Sequence, residues 1–220
     1  MSRSSAALPA LPSTPLADAA DRLLADTLSA PLRNHSIRGY LFGLALAERR
    51  GLCAGRDFDD ETMFLICALH DIALSGAADD GQRFEVHGAD RAARFLEERG
   101  VADERVDMVW DGIAAHTSGF VLSPVYRRRR PAAISLAVDG IGVDVFGGPG
   151  DLPPGYADRV HAVYPRLGGV RPLTDAIVAH ATDDPRRAPV GSLAGEIVRQ
   201  RYPESGAPTW DDMSGGGWGD

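Results

Sequence analysis

The chain has 220 residues, 44% of them apolar and 25% charged, which is enough for one substantial core and too apolar for intrinsic disorder. A net charge of -8 and a pI near 5.2 argue against a surface that tracks nucleic-acid phosphates. All 23 basic side chains are arginine, so a Schiff-base lysine, a P-loop lysine and the strand lysine of protein kinases are excluded together.

Residues 1–15 are Ser, Ala and Pro in loose order, and residues 203–220 are rich in Gly and Asp with Trp210 and Trp218. Both stretches are expected to be flexible tails around one helical domain over 16–202. Apolar residues at Leu16, Ala20, Leu23, Leu24 and Leu28 predict a first helix over 16–29. A second is predicted from Asn34, read as its N-cap, to about Arg50, with Gly51 as its stop. A third spans about 60–73, a fourth about 86–99, and a fifth runs from the cap Asp103 to about Thr117. Arg127 to Arg130, between two prolines, reads as a solvated loop, with capture of an anion as the alternative. A sixth helix follows Pro131 to about Gly147, and later ones are predicted at 155–163, 172–182 and 192–201. No alternating segment predicts a strand, so the fold class is all-α.

No apolar run reaches the roughly 18 residues that span a bilayer, and the N-terminus carries no signal-peptide pattern. The expectation is a cytoplasmic protein without membrane or nucleic-acid partners. Cys53 and Cys67 form no CxxC pair, and Cys67 is expected to fill core.

The third helix is apolar on every face from Met63 to Leu69 and then ends in His70-Asp71. An imidazole and a carboxylate at the end of a buried helix each need a partner, and a divalent metal satisfies both at once. The alternative is a capping Asp71 with His70 bonded to a carbonyl. The second helix has two apolar stripes, one of which contains His35, so His35 is expected to point into protein. On the sixth helix Asp144 shares a face with Ile134, Ala137, Val138 and Ile141, whereas Asp139 points away and reads as solvated or capping. His116, at the end of the fifth helix, is open to a role as ligand, acid/base group or packed histidine. His87 faces outward if the fourth helix includes Val86, and His161 and His180 read as surface residues.

The order His35, His70-Asp71, Asp144 resembles the metal-binding signature of the HD-domain superfamily of metal-dependent hydrolases, which implies an all-α HD-domain helical bundle. Five flanking segments resemble its cyanamide hydratase-like branch: His35-Ser36-Ile37-Arg38, Leu69-His70-Asp71-Ile72, Arg83-Phe84-Glu85-Val86, Ala115-His116-Thr117 and Asp144-Val145-Phe146-Gly147. Tyr164-Pro165-Arg166 also looks like a feature of that branch. The resemblance implies one divalent ion held by His35, His70, Asp71 and Asp144, zinc first, with iron or manganese as alternatives. It implies addition of metal-bound water to a small nitrile-like substrate, as in cyanamide to urea. His116 and Asp71 are then the catalytic residues, and Arg38 and Glu85 the substrate-binding or site-ordering ones. If His87 and His116 were both recruited, two metals would bind.

Two other functions remain open on the sequence. Hydrolysis of a nucleotide or phosphate ester would need arginine near the metal, with Arg38 and Arg83 available. A non-catalytic helical module would use the metal for stability or sensing alone. A homo-oligomer, with the apolar first helix and the Trp-bearing tail as contacts, is the partner expectation beside a small-molecule substrate.

Overall fold

The computed structural model describes residues 7–76 and 81–205; helix is the only regular element among them, beyond an isolated bridge between Ala54 and Phe58. Leu8 and Leu11, in the stretch expected as a tail, pack on the core. Thr14 then caps α1 (Pro15–Thr27) by accepting from the Ala17 N–H, while its hydroxyl donates to Glu61. The apolar stripe of α1 packs inside the chain, with Ala17, Ala20 and Leu24 buried.

α2 (Ala30–Arg49) starts a turn before Asn34, because Pro31 in the first turn has no N–H to leave unpaired. Asn34 is therefore no cap; its amide donates to the Pro165 carbonyl at 3.0 Å. α3 (Asp60–Leu69) is capped by Asp59, which accepts from the Thr62 N–H at 2.6 Å, and everything from Thr62 to Leu69 is buried. Around this central rod lie α4 (Phe84–Glu97), α5 (Arg105–Ala115) and α7 (Ala132–Phe146). Between α5 and α7, the arginine run expected as a loop is the short helix α6 (Pro124–Arg129), capped by Ser123. It forms because Arg127 is not left to solvent: its guanidinium pairs with both oxygens of Asp139 at 2.6 and 2.8 Å and reaches the Val121 carbonyl. Arg50 meets the same carboxylate, so Asp139 is an ion-pair hub rather than a cap.

The approach of α2 to α7 sets the site. A Cβ built at Gly140 would lie 2.6 Å from the Gly43 nitrogen and inside contact of the Gly39 carbonyl, and one at Gly43 would lie 2.9 Å from the Leu136 carbonyl, so neither position has room for a side chain. Gly112 plays the same part between α5 and α3, where a Cβ would meet Ile66 Cδ1 at 2.8 Å.

The chain closes with α8 (Tyr156–Val163), α9 (Arg171–Asp183) and α10 (Leu193–Arg201). α9 and α10 pack through a separate small core of Ala73, Phe84, Ile177, Ala181 and Ala194. No helix among the described residues is long and apolar enough to cross a membrane. Trp210 and Trp218 lie outside the described residues.

Candidate metal centre

α3 gives way to a 3-10 turn over Ile72–Ser75, and His70 and Asp71 occupy the junction with φ of -60° and -103°. In a continuous helix adjacent side chains diverge by about 100°. The change of pitch brings the two onto one side, opposite His35 of α2. His35 Nε2 and His70 Nε2 are 3.2 Å apart, and Asp71 Oδ2 is 3.2 Å from the second and 3.8 Å from the first. All three residues are buried.

Their hydrogen bonds dictate which atoms face inward. His70 Nδ1 lies 2.8 Å from the Cys67 carbonyl, an acceptor, so its proton resides on Nδ1. His35 Nδ1 lies 2.7 Å from Asp144 Oδ2 and is assigned the same way. Both Nε2 atoms then carry lone pairs, and buried Asp71 Oδ2 accepts no hydrogen bond. Three acceptors facing one another with no donor between them are repulsive unless a cation shares them. Tetrahedral ligand atoms bonded at about 2.0–2.1 Å stand about 3.3 Å apart, so the spacings fit one divalent ion. A proton competes for the same acceptors. Burial opposes charge on His70, but the Asp71 carboxylate beside it prevails and raises the imidazole pKa. Burial likewise opposes the Asp71 charge, and His70 and then His35 hold that carboxyl well below the usual range.

Asp144 stands behind His35 rather than within this triangle of ligand atoms. Its Oδ1 accepts from Arg38 Nε and its Oδ2 from Arg38 Nη2, each at 2.7 Å, and Oδ2 also takes the His35 proton. Asp144, expected as a ligand from the resemblance, lies outside the group of donor atoms that His35, His70 and Asp71 bring together. Burial opposes its charge, but the Arg38 hydrogen bonds and His35 hold its carboxyl far below the ordinary value. Arg38 also differs from expectation. It is buried, its Nη1 donates to the Tyr164 and Pro165 carbonyls, and it does not line the cavity in front of the cluster. The guanidinium is thus the counter-charge of Asp144. The carbonyls of Tyr164 and Pro165 had no assigned role on the sequence, although the segment Tyr164-Pro165-Arg166 was the signal; Arg166 Nη1 stands 4.0 Å from Asp144 Oδ1.

His116 does reach the site. Its ring lies edge-on to His70 with centroids 5.0 Å apart, and its Nδ1 lies 2.6 Å from the Ile113 carbonyl. Burial, then the adjacent His70, pushes its pKa down to about 4. Glu85 is buried, lies 3.2 Å from Arg83 Nε at the start of α4, and is not among the residues lining the cavity. His87 is buried, not outward, and stands outside the ligand cluster. His180 is likewise buried rather than at the surface, since α9 is covered by α10 and the turns around it, and His161 is half-buried against Phe42.

A family model described as HD domain matches residues 32–141, half of the chain, and contains His35, His70, Asp71 and His116. The chain belongs to the HD-domain family. HD-domain proteins are generally metal-dependent hydrolases that bind a divalent ion, and the buried His35, His70 and Asp71 are the group able to hold one here. Asp144 lies just beyond the HD match. No curated protein matches the chain.

Proposed function

We propose that this HD protein is a metal-dependent hydratase that adds water to the carbon of a small nitrile-type substrate such as cyanamide, with zinc as the first candidate ion and iron or manganese as alternatives. The observation that carries the reading is the convergence of His35 Nε2, His70 Nε2 and Asp71 Oδ2 at the base of a cavity of about 440 Å³ that is otherwise largely apolar. When bound, a divalent ion supplies Lewis acidity and brings the pKa of water toward neutrality. The protein's own groups do the rest. Arg38 and Asp144 hold His35 in one tautomer, and the Cys67 carbonyl does the same for His70. His116 donates from Nδ1 to Ile113, which leaves Nε2 to take a proton from the attacking water and return it to the nitrile nitrogen. A C–O bond forms as one C–N π bond opens and nitrogen takes the first proton; the C–OH proton then moves to nitrogen as the C=O π bond replaces the second C–N π bond, so water is added whole and no leaving group or redox partner is needed.

Phosphate-ester hydrolysis is the weaker reading, because Arg38 is committed to Asp144 and Arg83 to Glu85. Arg201 is the single arginine among the described residues lining the cavity. The test is urea formation from cyanamide by protein reconstituted separately with zinc, manganese and iron, with para-nitrophenyl phosphate as the competing substrate. Turnover of the phosphate ester alone would replace the proposal with phosphohydrolysis. Metal binding without turnover of either would exclude cyanamide as a substrate.

A further inference from the structure

The cavity in front of the metal ligands is built largely by chain beyond the HD match. α7 contributes Val145, α9 contributes Leu173 and Ile177, and α10 contributes Leu193 and Ile197. This wall is anchored rather than loosely draped, since Ile177 belongs to the small core that ties α9 to Phe84 at the start of α4. Its size is the informative quantity. An apolar cavity of about 150 Å³ holds benzene. The space here, about 440 Å³, is roughly three times that and falls within the range of pockets for drug-sized ligands. Cyanamide has three heavy atoms and would leave most of the apolar wall facing water. Each methylene placed against such a wall improves affinity by about fourfold.

We infer that the preferred substrate is a nitrile bearing an apolar substituent of about phenylalkyl size, with its reacting carbon at His35, His70 and Asp71 and its substituent against α9 and α10. The inference rests on the hydratase reading and adds the part of the substrate that the metal centre does not touch. α9 and α10 are then the specificity elements, with the HD core supplying the chemistry.

The experiment uses the full chain loaded with zinc and follows both binding and amide formation with two probes, cyanamide and 4-phenylbutyronitrile. Calorimetry should give a Kd for 4-phenylbutyronitrile at least tenfold below that for cyanamide. Leu193→Trp, which fills the cavity from the α10 side, should weaken 4-phenylbutyronitrile binding at least tenfold while zinc content and helicity stay unchanged. Ile197→Trp serves the same purpose should the first variant not fold. Equal affinity for the two probes, or a folded tryptophan variant that binds 4-phenylbutyronitrile as the parent does, overturns the inference. Binding of 4-phenylbutyronitrile that is lost in the tryptophan variants, with no amide formed from either probe, upholds the pocket and sinks the hydratase reading. Cyanamide turnover without measurable binding of 4-phenylbutyronitrile does the reverse.

Discussion

Replacing Arg38 with methionine keeps most of the buried stem and removes the charge that neutralises Asp144. Both side chains are 2% exposed and share two hydrogen bonds of 2.7 Å, so the carboxylate would be left in the interior with only the His35 proton and the more distant Arg166. Breaking one side of a buried pair costs about 3–5 kcal/mol. For a domain of this size each kcal/mol shifts the midpoint by about 2–4 °C, so metal-free Arg38→Met should melt about 6–20 °C below the parent. Zinc affinity, read by competition with a chromophoric chelator, should fall by about 10–100-fold because His35 loses its orientation. The pH dependence has a definite sign. The folded pKa of Asp144 is depressed, so its contribution is present above the unfolded value of about 4 and is lost as pH falls through the folded one. Arg38→Met removes the largest cause of that depression, and the stability gap between variant and parent should narrow below about pH 4. A second substitution, Asp144→Leu, made on the Arg38→Met background should cost less than the two single changes summed, because no unpaired charge remains. Parental melting and parental zinc affinity in Arg38→Met would refute the assignment of Arg38 as the counter-charge of Asp144.

His70→Ala and Asp71→Ala should each retain helicity by circular dichroism while elemental analysis finds less than a tenth of the parental metal; full metal content in either would place the ion elsewhere. Gly140→Ala forces a methyl against α2 and should lose at least about 1–3 kcal/mol in urea unfolding, together with metal affinity, since His35 and Asp144 sit on the two helices being pushed apart. His116→Asn should reduce kcat for nitrile hydration by about 100-fold or more with zinc content unchanged, and an unaltered kcat would remove His116 from the reaction. Burial pushes the Cys67 thiol up, whereas Cys53 is exposed, so Ellman's reagent should titrate one thiol in the native protein and both only after unfolding.

Much of the site was legible because buried helices advertise their polar exceptions. Met63 to Leu69 are apolar on every face, so His70 and Asp71 stood out at the end of that run, and the phase of α7 chose Asp144 over Asp139 correctly as the inward carboxylate. What periodicity reports is direction, not partner. It turned Asp144 inward but could not show that His35 and Arg38 would meet it there. The same limit hid the anchor of α6: Arg127 meets Asp139, 12 residues away, while Arg128 and Arg129 are exposed as a solvated run would be. His87 and His180 were misplaced because periodicity along one helix does not show which other elements cover it.

The sequence by itself determined the helical class, the absence of lysine chemistry and the inward set of His35, His70, Asp71 and Asp144. These follow from local properties: apolar spacing along one helix and the cost of a polar group in a buried one. The tertiary structure alone decided the roles. It turned the absence of lysine, at first only an exclusion, into the use of Arg38 as a buried counter-ion with its bidentate guanidinium filling both oxygens of Asp144. It also placed α9 and α10 over the metal ligands and so sized the cavity. Neither could be read locally, because each depends on side chains more than 100 residues apart in the chain, such as Arg38 and Asp144, meeting across a helix pair whose spacing is set by Gly39, Gly43 and Gly140.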